Sequence, residues 1–186
     1  MISVYLSGGI KGLTDEQAFG WRHKVCSHYG CTDEGRPLTR ADGLPFILGP
    51  GSMTGKVKLT IPTRIEYRWN VEVESFPYDR AEGTLARILA SHRHMDIKAA
   101  AEWIIRRDKM AIAKCDIVLV NAPVPSWGTA MEIMCAHELE KRIVVVCEDK
   151  NPSPWLVAHA DILIPSFEDA YREIDNIVRE MEELNL

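Results

Sequence analysis

Asp108, Ser126 and Glu132 bring two carboxylates and a hydroxyl into one stretch of the chain, residues 106 to 146, with the spacing to share a site. Two carboxylates can divide the roles of nucleophile and proton carrier, and a hydroxyl beside the first N–H groups of a helix can hold an anion. Asp108 lies on the apolar stripe of a helix from about Met95 to Ala113, a stripe made of Ile97, Ala101, Ile104, Ile105, Ala111 and Ile112. A carboxylate turned towards a core is costly unless paired, and burial raises its pKa. A salt bridge to Arg106, Arg107 or Lys109 is the plain alternative, but side chains one or two apart on a helix do not face each other, which favours a functional Asp108. Glu132 has two readings. Thr129-Ala130-Met131-Glu132 has the spacing of a capping box, in which the carboxylate accepts from a backbone N–H. Alternatively, the helix N-terminus keeps Glu132 ionised and available as a nucleophile. Spacing leaves both open. Ser126 and the N–H groups after Gly128 form a small anion site to which Lys11 adds a cation, whereas a lone Ser-x-Gly is an ordinary turn.

The elements that must position these groups alternate along the chain. Ile117 to Val120 and Ile143 to Val146 are short β-branched runs of the kind buried on both faces of a parallel sheet. Ligands of open α/β sheets sit beyond the carboxyl ends of strands, and the Ser126 to Glu132 turn leaves one strand there and opens a helix. A first strand, Ile2 to Leu6, ends in the glycine-rich S-G-G-I-K-G, which lets a ligand approach backbone closely. A helix from about Thr14 to Tyr29 follows, opened by the Thr-x-x-Gln form of a capping box. Later come a helix from Gly128 to Glu140, a strand to Cys147, an apolar run Ile162 to Ile164 and a charged helix from about Phe167 to the end. The pattern predicts an α/β fold with a doubly wound, mostly parallel sheet, flavodoxin-like, in a single domain over 1–186. Residues 31 to 92 interrupt it. Val57, Leu59 and Ile61, then Ile65, Tyr67, Trp69, Val71 and Val73, alternate with polar residues as an inserted β-hairpin would, and Gly49-Pro50-Gly51-Ser52 is a flexible loop.

Composition excludes several classes. At 46% hydrophobic and 26% charged, with a formal net charge of -5, the chain is an ordinary globular domain and a poor match for a polynucleotide, whose binders cluster Lys and Arg. The first strand begins at Ile2, without a signal peptide, and no apolar run reaches the roughly 18 residues of a membrane span, so a cytoplasmic protein without a membrane partner is expected. Five cysteines, with Cys115, Cys135 and Cys147 inside apolar segments, fit small buried hydrophobes in a reducing compartment. His23, Cys26, His28 and Cys31 invite a zinc site, but His28 points away from the face that His23 and Cys26 share, and no metal is expected.

Four segments, V-Y-L-S-G-G-I-K-G, G-L-T-D-E-Q-A-F-G-W-R, R-D-K-M-A-I-A-K-C-D-I-V-L-V-N and S-W-G-T-A-M-E-I, followed by S-P-W-L, resemble in order the nucleoside 2-deoxyribosyltransferase-like superfamily, including its deoxynucleoside 5'-monophosphate N-glycosidase branch. Residues 31 to 92 are not covered. The resemblance implies that Glu132 attacks the anomeric carbon to give a covalent glycosyl-enzyme, that Asp108 handles the proton at the base, and that Tyr5 orients Glu132 by a hydrogen bond. It implies substrate contacts from Gly8, Gly9, Ile10, Lys11, Asn121, Ser126 and Gly128, and no cofactor. The partners would be a small-molecule nucleoside or nucleotide, a free nucleobase in the case of a transferase, and further copies of the chain in a homo-oligomer. Nucleoside transferases of the superfamily carry an acidic residue six before the nucleophile, and the monophosphate branch carries Ser; Ser126 stands there, and Lys11 where that branch has a basic residue. Ser, Lys and helix N–H groups attract a phosphate that an Asp would repel, which favours a 5'-monophosphate donor. Gly9 replaces the usual Pro of the first loop. A cytokinin-activating-type phosphoribohydrolase shares the G-T-x-x-E of 128–132 but needs a P-G-G that is absent here. A non-catalytic nucleotide-binding sensor has no need of a buried acid and a nucleophile together.

Overall fold

The computed structural model describes residues 2–9, 13–14, 16–30, 57–60 and 97–184. Strand β1, Ile2–Gly8, leads through one π-helical turn, Glu16–Gly20, into α1, Trp21–His28. Next come β2 (Val57–Thr60), α2 (Ile97–Lys114), β3 (Ile117–Asn121) and α3 (Trp127–Glu138). The chain then runs through β4 (Arg142–Val146), α4 (Pro154–His159), β5 (Ile162–Ile164) and α5 (Phe167–Leu184). All five strands are parallel, in the flavodoxin-like order β2-β1-β3-β4-β5. The order reverses between β1 and β3, so the crevice beyond their carboxyl ends is the switch point where α/β sheets bind ligands.

Period-two alternation supplies a core on each face. Val4, Leu6, Ile117, Leu119, Val144 and Val146 face one way and pack with Val25 of α1 and Ile174 and Val178 of α5. Tyr5, Val118, Val120, Ile143 and Val145 face the other way and pack with Ile112 of α2 and Ile133 and Ala136 of α3. Central strands without a wet side read as unbroken apolar runs, and each such side chain stabilises the fold by about 1.5–3 kcal/mol on burial. The first core reaches Trp21, which stacks on Phe167 with ring centroids 5.6 Å apart and ties α1 to α5.

Val57–Thr60 pairs in parallel with β1, from Ile2–Val57 to Tyr5–Thr60, so this run belongs to the main sheet. Its expected partner, Ile65 to Val73, and the Gly49 to Ser52 loop lie outside the described residues. The Thr14–Gln17 capping box is present, with Thr14 N donating to Gln17 Oε1 at 3.0 Å and Gln17 N to Thr14 Oγ1 at 3.3 Å, but it opens a π-helical turn before the α-helix proper. Ile105 is 54% exposed, since it stands about 100° around α2 from Ile104 and off the stripe that Ile112 anchors. Cys115 and Cys147 are buried, whereas Cys135 is only partly so. Among the described residues, no helix is long and apolar enough to cross a membrane.

Candidate active site

Tyr5 and Ser7 are two apart on β1, so their side chains leave the strand on the same face, and both are fully buried. Glu132, partly buried on α3, receives the two of them: Tyr5 Oη donates to Oε1 at 2.8 Å, and Ser7 Oγ donates to Oε2. This arrangement overturns the capping-box reading. The N-cap of α3 is Ser126, in extended conformation and without a side-chain cap bond, which places Glu132 in the second turn with its oxygens turned to β1. Thr129 Oγ1 is buried without a hydrogen-bond partner among the described residues, so that half of the box is unmade as well.

The helix N-terminus therefore does not hold Glu132 ionised, because its influence fades within the first turn. Burial pushes the Glu132 pKa up to about 7; the Ser7 hydrogen bond opposes this, the Asp108 charge adds to it, and Tyr5 and Arg22 oppose it further. Tyr5 is driven far above the usual phenol value, first by burial and then by the Glu132 charge, so it stays a proton donor to the carboxylate. Asp108 is raised by burial, as its place on the α2 stripe predicts, while the neighbouring Arg107 draws it down. That pairing corrects the sequence argument. Arg107 Nε and Nη2 both reach Asp108 Oδ1, at 2.9 and 2.8 Å, because the long arginine stem folds back along the helix and brings its guanidinium 5.6 Å from the Trp103 ring centroid.

The described positions among those expected to contact a substrate lie around the same switch point. Gly8 sits in register with Asn121, and a Cβ on Gly8 would come within 2.9 Å of Trp21 Cζ2 and 3.2 Å of the Asn121 carbonyl, so glycine is required there by close packing. A Cβ on Gly9 would lie 3.5 Å from Ser126 Cβ, so the first loop and the β3–α3 turn touch. Gly128 is exposed, with open space about its Cα, as an approachable backbone position needs. Ile10 and Lys11 lie outside the described residues. A cavity of about 390 Å³ opens on a different face of α3, lined by Ser126, Thr129, Ile133, Asp149 and Leu156 among others; it shares Ser126 with the site but not Glu132.

Two residues of the site were missed. Ser7 had a signal, its period-two spacing from Tyr5. Arg22 had one too: it follows Ala18 by four and precedes Cys26 by four on an apolar helix face, the same anomaly that singled out Asp108. It is fully buried and donates through Nη2 to the carbonyls of Gly8 at 3.1 Å and Leu6 at 3.4 Å.

The described residues thus combine a flavodoxin-like sheet with a hydroxyl-held carboxylate and a second, partly buried carboxylate. Among solved structures, the chain is similar to the 2-deoxyribosyltransferase of the psychrotolerant bacterium Bacillus psychrosaccharolyticus, with a TM-score of 0.52 and 12% identity over 90% of this chain and 89% of that one. It is also similar to the Clostridium botulinum CMP N-glycosidase BcmB, with a TM-score of 0.45 and 14% identity over 94% of this chain and 98% of that one. No family model and no curated protein matches the sequence. The chain thus shares its flavodoxin-like fold with that 2-deoxyribosyltransferase.

Proposed function

We propose that this protein is an enzyme that breaks the N-glycosidic bond of a nucleoside or nucleoside 5'-monophosphate through a covalent glycosyl–Glu132 intermediate. The observation that carries this reading is the Glu132 carboxylate, fixed at both oxygens by buried hydroxyls and electrostatically coupled to Asp108. In the first half-reaction a Glu132 oxygen attacks the anomeric carbon as the bond from that carbon to the base nitrogen breaks. The electron pair leaves with the base, and Asp108 gives it a proton. Water or a second base then attacks the same carbon, loses its proton to Asp108 and frees the Glu132 carboxylate. A raised Asp108 pKa suits a group that must hold a proton until the base departs. Tyr5 and Ser7 keep the carboxylate in its attacking geometry throughout.

A 5'-monophosphate is the favoured donor, because the position that would repel a phosphate as Asp is Ser126, next to Gly9. The fold shared with a 2-deoxyribosyltransferase is in keeping with this chemistry. A homo-oligomer belongs to the same reading, supported by Trp127 and Met131, which stand 93% and 67% exposed at the start of α3 and call for cover.

Chromatography of the purified protein with deoxynucleosides and deoxynucleoside 5'-monophosphates, each with and without a second free base, tests the proposal. Free base released from the monophosphates supports a hydrolase, and a new nucleoside formed only when base is added supports a transferase. No turnover of any donor, or unchanged turnover in Glu132→Ala, refutes the assignment.

A further inference from the structure

We propose that Arg22 is a positioning residue for Glu132: it fixes the end of β1 that carries the two hydroxyl donors, and it supplies the buried positive charge that keeps the carboxylate anionic. This inference rests on reading Glu132 as the nucleophile. The guanidinium donates to the carbonyls of Leu6 and Gly8, on either side of Ser7. Arg22 thus grips the end of β1 around the residue whose hydroxyl donates to Glu132. It also donates to the Ala18 carbonyl within its own helical segment, and its Cζ lies 4.5 Å from the Trp21 ring centroid and 5.8 Å from that of Phe19.

A charged group in such a place is expensive unless something uses the charge. Its Nε has no hydrogen-bond partner among the described residues, and carbonyls alone do not repay the burial of a full charge. Burial lowers the guanidinium to about 10, which leaves it protonated at neutral pH, and the Glu132 charge acts to keep it so. The groups that act on the Glu132 carboxylate are Tyr5 and Ser7 from β1, Asp108 from α2 and Arg22 from α1. Asp108 opposes its ionisation, and Arg22 is the cation among these four.

The test is a titration of the Glu132 side-chain carboxyl by 13C NMR, with the signal identified by its absence in Glu132→Gln. It needs no turnover, so it stands apart from the activity panel on which the proposed function fails or survives. Arg22→Met and Arg22→Gln are expected to raise the midpoint by about one pH unit or more, the size of effect that a nearby opposite charge has on a carboxylate. Arg22→Lys keeps the charge and is expected to titrate close to the unmodified protein. Folded Met and Gln variants that titrate like the unmodified protein would overturn the proposal, as would a Lys variant that shifts as far as the Met variant. Failure of both neutral variants to fold would assign Arg22 to the scaffold alone and overturn it too.

Discussion

Glu132→Gln should make the protein more stable at neutral pH and change the sign of part of its pH dependence. The folded protein holds the Glu132 carboxyl at about 7 against an ordinary value of 4.5, chiefly because burial penalises the anion. Below pH 4.5 the group is protonated in both folded and unfolded chains and costs nothing. Between 4.5 and 7 the unfolded chain releases the proton while the folded one keeps it, so stability falls as pH rises, and above 7 the loss is complete. At about 1.4 kcal/mol per pH unit, the loss comes to about 3 kcal/mol. Glutamine carries no such charge, so its variant should lack this decline. For a domain of this size, 1 kcal/mol moves Tm by about 2–4 °C, so the two melting temperatures should diverge by about 6–12 °C between pH 4.5 and pH 8. Thermal unfolding followed by circular dichroism across that range measures the divergence directly. Any fixed cost of facing an amide with two hydroxyls displaces the whole curve and leaves its slope untouched. Parallel curves for the two proteins would refute the claim that burial raises the proton affinity of Glu132 in the folded protein.

Three further outcomes follow from the same geometry. Asp108→Asn keeps the shape of the side chain but cannot carry a proton, and should lower kcat by about 10²–10⁴-fold in the base-release assay; a change of only a few-fold removes Asp108 from the mechanism. Ser126→Asp should raise KM for 5'-monophosphates by about tenfold or more, equivalent to about 1.4 kcal/mol of lost binding, and affect unphosphorylated nucleosides far less. An equal effect on both donors would move the phosphate away from Ser126. Gly8→Ala drives a methyl to within 2.9 Å of Trp21 Cζ2 and should cost about 1–3 kcal/mol, read as a lowered denaturation midpoint, with an unchanged midpoint contradicting the close packing beneath the loop.

The frame of the fold was legible because it rests on local signals. The runs Ile117 to Val120 and Ile143 to Val146 announce buried parallel strands, and their alternating residues divide between the two cores as period two requires. Of the site's network only the Tyr5–Glu132 hydrogen bond was expected, from the resemblance and not from any local pattern, and it is present. The neighbourhood of Tyr5, Ser7 and Glu132 depends on β1 lying beside β3, a contact between residues about 125 apart in sequence that no local pattern encodes. Where sequence reasoning treated α3 by itself, it gave Glu132 a partner in its own first turn; the sheet offered two better donors and won. The Arg107–Asp108 pair failed as an expectation for a related reason: Cβ directions on a helix limit short side chains far more than they limit an arginine. The pairing of Val57–Thr60 with β1 was not legible, because alternation within a run says nothing of which strand will be its neighbour.

The charges of the site make most sense taken together. The proposed mechanism needs an ionised Glu132 and a protonated Asp108, yet burial raises the proton affinity of both, and the Asp108 charge raises that of Glu132 further. Two such groups in contact through the field titrate as a pair, so the productive state is the one in which a single proton sits on Asp108 and not on Glu132. Placing it there needs an asymmetry, and the structure provides one on the Glu132 side. Two hydroxyls donate to Glu132, and they can stabilise the anion without competing for its charge. Arg22 adds a cation from behind the strand. Arg107 pulls the other way on Asp108, and it does so through Oδ1. On this account the site spends fold stability on an ionisable Glu132 and recovers function from where the remaining proton is allowed to rest.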